Sequence, residues 1–307
     1  MELPKYAYFQ GEIVPYGKAK VGVLTHALNY GTAAFGGLRG YWNDEQEQLY
    51  LFRPKDHYRR LLNSAKILRM DFDHTPEGLT QITIDLLKME GHRQDVYIRP
   101  LVYKSEEVIG VRLHDLEEAL SIVSFPFGLY IKNETNAHLT ISSWRRVDDN
   151  VIPARGKISG AYANSALIKT DASLNGFDDA LVLNQDGHIS EASAMNVFIV
   201  RDGVLITPPV TENVLEGITR RSVMLLAEKE LGLPVHERPV DRTELLVCEE
   251  VFLTGTAVQI TAVTKIDHLP VGSGLMGPVT AQLRELFFNL VRGRNPAYQN
   301  WVTPVYG

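Results

Sequence analysis

The chain has 307 residues, 45% hydrophobic and 22% charged, an ordinary globular balance long enough for two domains. Its formal charge of −6, with basic residues scattered, gives no reason to expect a nucleic-acid partner or an anionic membrane. Cys248 is the one cysteine and the histidines lack metal-ligand spacing, so no disulfide or metal site is expected; without a membrane-length apolar run, the cytoplasm is the expected compartment.

In chain order, YAYFQGEIVP predicts two short strands turning at Gln10-Gly11. Residues 21–42 mix β-branched and aromatic residues with glycines, and the polar turn NDEQEQ leads into a strand, LYLFR. Pro54 suits the first turn of a helix over 54–70, with Leu61, Leu62, Ala65 and Leu68 on its apolar face. A second helix is expected at 76–90, followed by strands in DVYIRPLVYKS and ALSIVSFPF. The polar, irregular stretch at 125–136 reads as a linker between a small domain at 1–124 and a large one at 137–307. Beyond it come a strand (HLTISSWRR), a helix at 159–176 closed by Gly176, and hairpins turning at Asp186-Gly187 and Asp202-Gly203. A helix at 219–232 would take Thr219 as N-cap and end at Gly232; strands EVFLTGTA and ITAVTKI precede a last helix near 278–292. Two α+β domains with a cleft between them are the expected architecture.

Within this frame Lys157 stands in KISGAY, among small residues and just ahead of a helix. A lone loop lysine is ordinarily a solvated cation. Glu191, in HISEASAMNVF just before a predicted strand, reads by itself as a turn carboxylate. LEGITRR puts Gly217, Ile218 and Thr219 at a helix start, where free N–H groups and the helix dipole suit an anion as well as a plain cap. TGTA, at 254–257, is a second small, hydroxyl-bearing turn. Taken together, an amine, a carboxylate and two anion cradles are what pyridoxal phosphate requires: a lysine to condense with its aldehyde, a carboxylate to keep the pyridine nitrogen protonated, and a seat for the phosphate.

HALNYGTAAFGGLRGY, FRPKDHYRRLLNSAKIL, YIRPLVY, SFPFG, KISGAY, DDALVLNQDGHISEASAMNVF, LEGITRR and EVFLTGTA, in this order, closely resemble the branched-chain amino acid aminotransferases, fold-type IV pyridoxal-phosphate enzymes of the class IV family. The resemblance implies a two-domain α+β enzyme with pyridoxal 5'-phosphate in the cleft, working by ping-pong transfer between branched-chain L-amino acids and 2-oxoglutarate. It makes Lys157 the cofactor-bearing lysine and proton shuttle, Tyr162 the partner of the phenolic oxygen, Glu191 that of the ring nitrogen, and Leu215 the ring-face contact. Arg60, Gly217, Ile218, Thr219 and Thr256 would bind the phosphate. It also implies a homo-oligomer, a dimer at least, with a hexamer left open.

Tyr97 and Arg99, two apart on a strand, address the same face. The resemblance gives the substrate α-carboxylate to Tyr97 and the Gly255-Thr256-Ala257 turn, and the distal carboxylate of 2-oxoglutarate to Arg99. Tyr30, Phe35, Arg39, Phe127 and Val111 resemble side-chain pocket residues, Val111 coming from a neighbouring subunit. Where the family has a glutamate, this chain has Gly36, read as a loss of charge and volume beside the pocket that loosens the strand; Phe127 stands where tryptophan is common. Both departures bear on substrate range. D-amino acid aminotransferases, (R)-amine transaminases and aminodeoxychorismate lyases share the fold, and YIRP argues against them. A non-catalytic carrier of the cofactor would have no use for Tyr97 and Arg99.

Overall fold

The computed structural model describes residues 2–131 and 133–307; Met1 and Lys132 lie outside the described residues, the latter within the segment expected as a linker. The strands are β1 (Tyr6–Phe9), β2 (Glu12–Pro15), β3 (Ala33–Phe35), β4 (Leu38–Asn43), β5 (Gln48–Phe52), β6 (Val96–Lys104), β7 (Glu118–Pro126), β8 (Ala137–Arg145), β9 (Asp179–Leu183), β10 (Ile189–Ala192), β11 (Asn196–Arg201), β12 (Val204–Thr207), β13 (Val235–Glu237), β14 (Glu250–Gly255), β15 (Gln259–Ile266), β16 (Leu269–Pro270) and β17 (Val302–Pro304). The α-helices are α1 (His26–Tyr30), α2 (Pro54–Ile67), α3 (Pro76–Glu90), α4 (Tyr162–Leu174), α5 (Ile218–Leu231) and α6 (Pro278–Val291).

Two compact α+β units divide the chain. Unit 1 is Met1–Gly128, Gly156–Gly160 and Asn289–Gly307; unit 2 is Leu129–Arg155 and Ala161–Phe288. One boundary falls inside the 125–136 segment, but the division is not the contiguous one expected. The short segment carrying Lys157 joins unit 1 because it bridges to β3, and the C-terminus joins it because β17 pairs with β5.

Unit 1 is built on an antiparallel sheet in the order β17-β5-β4-β6-β7-β1-β2, with β3 also on β6. β3 and β4 keep one register along β6, Phe35 opposite Leu101 and Leu38 opposite Ile98. Between them the Gly36 N–H donates to the Pro100 carbonyl at 2.8 Å, but Pro100 has no N–H to return, and the strand is interrupted there. Pro54 opens α2 as predicted, and Tyr58, Leu61 and Ala65 form its buried stripe; Leu68, expected within the helix, is its C-cap. Thr75 caps α3 by accepting from the Gly78 N–H at 3.0 Å.

Unit 2 has its own sheet, β10-β9-β8-β15-β14-β11-β12-β13, with β16 on β15. β8 runs parallel to both β9 and β15, and α4 makes the crossover from β8 to β9, packing Ile168 and Ala172 on Ala180 and Val182. The predicted hairpins join β9 to β10 and β11 to β12. Two local readings change. Glu191 lies within a strand, β10, rather than before one. Gly217, not Thr219, is the N-cap of α5, and Thr219 is buried in its first turn.

Candidate active site

In unit 1 the chain around Lys157 is held by its backbone. The Lys157 N–H donates to Ser64 Oγ at 3.1 Å, its carbonyl accepts from the Phe35 N–H at 3.0 Å, and Ile158 bridges to Ala34. Ser64, on α2, also donates to the Arg60 carbonyl at 2.8 Å, so one hydroxyl links the helix bearing Arg60 to the strand-like segment bearing Lys157. The small residues of KISGAY serve this close packing: Gly156 abuts Ile158 and Ile67, and the Gly160 N–H donates to the Gly31 carbonyl at 3.2 Å. The half-buried Lys157 ammonium lies 4.9 Å from the centroid of the Phe35 ring.

The same Phe35 ring carries the Arg99 guanidinium at 4.4 Å, and Arg99 Nη2 donates to Tyr97 Oη at 3.2 Å. Tyr97 packs on Phe125 and Phe127, with ring centroids 5.7 and 5.2 Å away. Lys157, Phe35, Arg99, Tyr97 and Phe127 are thus one connected group. Arg99 Nε is buried and has no hydrogen-bond partner, an unused donor of the kind a carboxylate takes up.

The two glycines of the Phe35-Gly36-Gly37 run are required by the partners across the ladder. A Cβ on Gly37 would meet Tyr97 Oη at 2.1 Å, and one on Gly36 would meet Pro100 Cγ at 2.6 Å. Gly36 is therefore packed against Pro100 at the break between β3 and β4, where the strand is loosened as expected.

Arg39 is held by backbone carbonyls and a carboxylate. It is 3% exposed, donates to the carbonyls of Phe127 and Gly128 at 3.3 and 3.1 Å, and lies 3.8 Å from Asp95. It holds the segment just after β7 that carries Phe127. Tyr30 and Val111 meet at Gly110: Tyr30 Oη accepts from the Gly110 N–H at 3.0 Å, and buried His26 takes the Gly110 carbonyl through Nε2 at 2.6 Å. This leaves Val111 79% exposed.

In unit 2 the Glu191 carboxylate, 3% exposed, is ringed by donors. Arg146 Nη2 lies 2.7 Å from Oε1; Asn196 Nδ2 and the Leu215 N–H donate to Oε2 at 2.9 and 3.2 Å. Asn196 Nδ2 also donates to the Leu215 carbonyl at 2.9 Å, fixing the turn that leads into α5. A Cβ on Gly217 would lie 2.0 Å from Asn196 Oδ1, so only glycine fits at that N-cap. Ile218 and Thr219 follow in the first turn, whose N–H groups and dipole form an anion-binding end. Tyr162 opens α4, and Thr256 and Ala257 lie in the tight turn after Gly255, which pairs with Gln259 to close the β14–β15 hairpin.

Four supporting residues escape a reading of sequence alone: Ser64, Arg146, Asn196 and His26. Ser64, Arg146 and His26 act through partners distant in the chain. Only Asn196, five residues after Glu191 and inside a strand, offered a local hint, because a buried amide needs partners.

Residues 38–266 match the profile of the family described as amino-transferase class IV. The chain belongs to this family. It is 46% identical over 301 residues to a probable branched-chain-amino-acid aminotransferase of Aquifex aeolicus, covering 98% of this chain and 97% of that protein. Among solved structures, the branched-chain amino acid aminotransferase of Thermobaculum terrenum in its PLP form is similar at 40% identity and TM-score 0.95, with each chain covered completely. The T.th. branched-chain amino acid aminotransferase complexed with N-(5'-phosphopyridoxyl)-L-glutamate is similar at 39% identity and TM-score 0.93, with 99% of each chain covered. The class IV aminotransferase fold is the two-unit α+β fold expected from the sequence.

Proposed function

We propose that this aminotransferase uses pyridoxal 5'-phosphate to move the amino group of branched-chain L-amino acids to 2-oxoglutarate, reversibly, giving 2-oxo acids and L-glutamate. The observation that carries this reading is the placement of the Lys157 amine and the Tyr97–Arg99 pair around one Phe35 ring. A proton-moving amine beside a carboxylate-binding pair suits amino-acid turnover, and a mere carrier has no use for it. The similar proteins named above, one in PLP form and one carrying a phosphopyridoxyl-glutamate, support the same cofactor and a glutamate partner.

The residues present fit the cofactor in each unit taken separately. Unit 2 offers a buried anion for a ring nitrogen and, at Gly217, a helix start with no side-chain cap that any side chain would obstruct. Unit 1 offers an amine held from behind by Ser64. When bound, pyridoxal phosphate supplies an electron-withdrawing ring that makes the substrate's α-hydrogen acidic. Lys157 would hold the aldehyde and shuttle that proton; Glu191 would keep the ring nitrogen charged; Tyr162 would bond the phenolic oxygen; Leu215 would cover the ring face. Arg60, Gly217, Ile218, Thr219 and Thr256 would bind the phosphate. Tyr97, with Gly255, Thr256 and Ala257, would bind the α-carboxylate, and Arg99 the distal one. Tyr30, Phe35, Phe127 and Val111 would line the aliphatic pocket, with Arg39 holding Phe127 in place.

The reading includes a cytoplasmic homo-oligomer of at least two subunits. Exposed apolar side chains at Val23, Leu28, Ile109 and Val111 support assembly, and among the described residues no helix is long and apolar enough to cross a membrane. Light scattering at the mass of one chain would remove the oligomer. The activity itself is tested by mixing the holoenzyme with L-leucine: the cofactor's visible band should disappear and return on adding 2-oxoglutarate. An unchanged spectrum would overturn the reading.

A further inference from the structure

We propose that Arg146 is a positioning residue that keeps Glu191 an anion, so that the proton shared with the cofactor's ring nitrogen stays on the ring; this rests on the reading that Glu191 serves that nitrogen. Glu191 sits in the middle of β10, a strand with every residue buried, where water cannot solvate its charge. A carboxylic acid and a pyridine in such surroundings favour the neutral pair, because separating charge in a low-dielectric interior is costly. Donors to the carboxylate reverse that preference by stabilising its charged form.

Of these donors, the Asn196 amide and the Leu215 N–H are neutral, and Arg146 brings a full charge to 2.7 Å from Oε1. Arg146 is itself well placed to stay put. Its Nε donates to the Asn213 carbonyl at 3.1 Å, its side chain is 12% exposed, and its own N–H bonds the Leu183 carbonyl in the neighbouring strand at 2.9 Å.

The arrangement separates charge from hydrogen bonding, and so does the test. Wild type, Arg146→Gln, Arg146→Lys and Glu191→Gln are reconstituted with pyridoxal phosphate labelled with nitrogen-15 in the ring, and the ring nitrogen's chemical shift is measured in each holoenzyme. Wild type and Arg146→Lys should give the shift of a protonated ring. Arg146→Gln, which keeps a donor but loses the charge, should move toward the neutral-pyridine shift, as should Glu191→Gln. A wild-type shift in Arg146→Gln beside a moved shift in Glu191→Gln overturns the role of Arg146. An unmoved shift in Glu191→Gln instead overturns the assignment of Glu191 beneath it. Should Arg146→Gln fail to fold, Arg146→Met, neutral and of similar length, takes its place with the same two outcomes. A structural role for Arg146 through Asn213 would lower stability in all its variants without moving the ring shift in any.

Discussion

The Lys157 region of unit 1 and the Glu191 region of unit 2 are built on opposite principles. Around Glu191 the acceptor is heavily engaged: Arg146, Asn196 and the Leu215 N–H surround a buried carboxylate, beside a glycine whose Cβ would collide with Asn196. Around Phe35 the cations rest on aromatic faces, and Arg99 retains a buried Nε with no partner. A site that holds one unchanging ring gains from saturation, because every fixed donor stabilises the same charge state. A site that must accept an aliphatic side chain in one half-reaction and a carboxylate in the other needs unused donors beside apolar surface. A bare carboxylate on apolar walls would otherwise cost on the order of several kcal/mol.

The largest break of this contrast comes from removing the amine. Lys157→Ala should lose turnover by several orders of magnitude, because a positioned proton shuttle alone is worth roughly 10²–10⁴-fold. Borohydride reduction and peptide mapping of the wild-type holoenzyme should place the pyridoxyl group on Lys157. Lys169, whose ammonium lies 3.0 Å from the buried Asp179 carboxylate, should stay unlabelled, and a label there would refute the assignment.

Arg99→Ala sharpens the comparison by removing the unused donor. The KM for glutamate or 2-oxoglutarate should rise strongly, while the single-turnover reaction with L-leucine changes by about tenfold or less, on the order of 1.4 kcal/mol. Equal losses with both substrates would make Arg99 an α-carboxylate or structural residue.

A smaller effect is expected from Gly37→Ala, whose Cβ would intrude on Tyr97 Oη. Reactivity toward both substrates should fall by about tenfold, since on the proposed reading Tyr97 serves the carboxylate they share. Adding Tyr97→Phe should cost much less in the Gly37→Ala background than in wild type, because the two changes act on one contact. Additive losses in that double-mutant cycle would mean that Gly37 acts elsewhere.

The smallest effect concerns another crowded carboxylate of unit 2, away from the proposed chemistry. Hydrogen bonds from Arg238, then Arg201, hold the Glu244 carboxyl below the usual glutamate range. A group with a depressed folded pKa contributes its stability above its unfolded value, near pH 4.3, and loses it as the pH falls toward the folded one. Glu244→Gln should therefore be less stable than wild type at neutral pH, by about 1 kcal/mol or less because both arginines are partly exposed. The gap measured by urea unfolding should close as the solution is acidified below about pH 4. A gap constant across that range would show that the pairing contributes nothing.

Much of the fold was legible because it is local. Pro54 and Thr75 announce their helices through backbone groups within one turn, and Asp186-Gly187 and Asp202-Gly203 announce their hairpins through the conformations these pairs adopt. Where a reading erred, a distant contact decided. Thr219 looked like a cap, but the helix starts earlier and Gly217 is the N-cap, at a position where Asn196 crowds the space a side chain would need. Arg39, nominated by its place in the motif, has its guanidinium on the carbonyls of Phe127 and Gly128, far along the chain, an engagement no local pattern signals.

Residue types along the chain were enough to nominate Lys157 and Glu191 as an amine and an acid, and the order of motifs, through the family resemblance, added Tyr97 and Arg99, because such chemical identities are altered by no folding step. Folding decided their surroundings. Charge state, unused hydrogen-bonding capacity and steric need arise from neighbours that are remote in sequence: Arg146 beside Glu191, Ser64 behind Lys157, Phe35 beneath Arg99, Tyr97 over Gly37. Such pairings depend on sheet register and helix docking, which place groups within a few ångströms of one another only when the whole unit closes, and a linear pattern carries no measure of that distance.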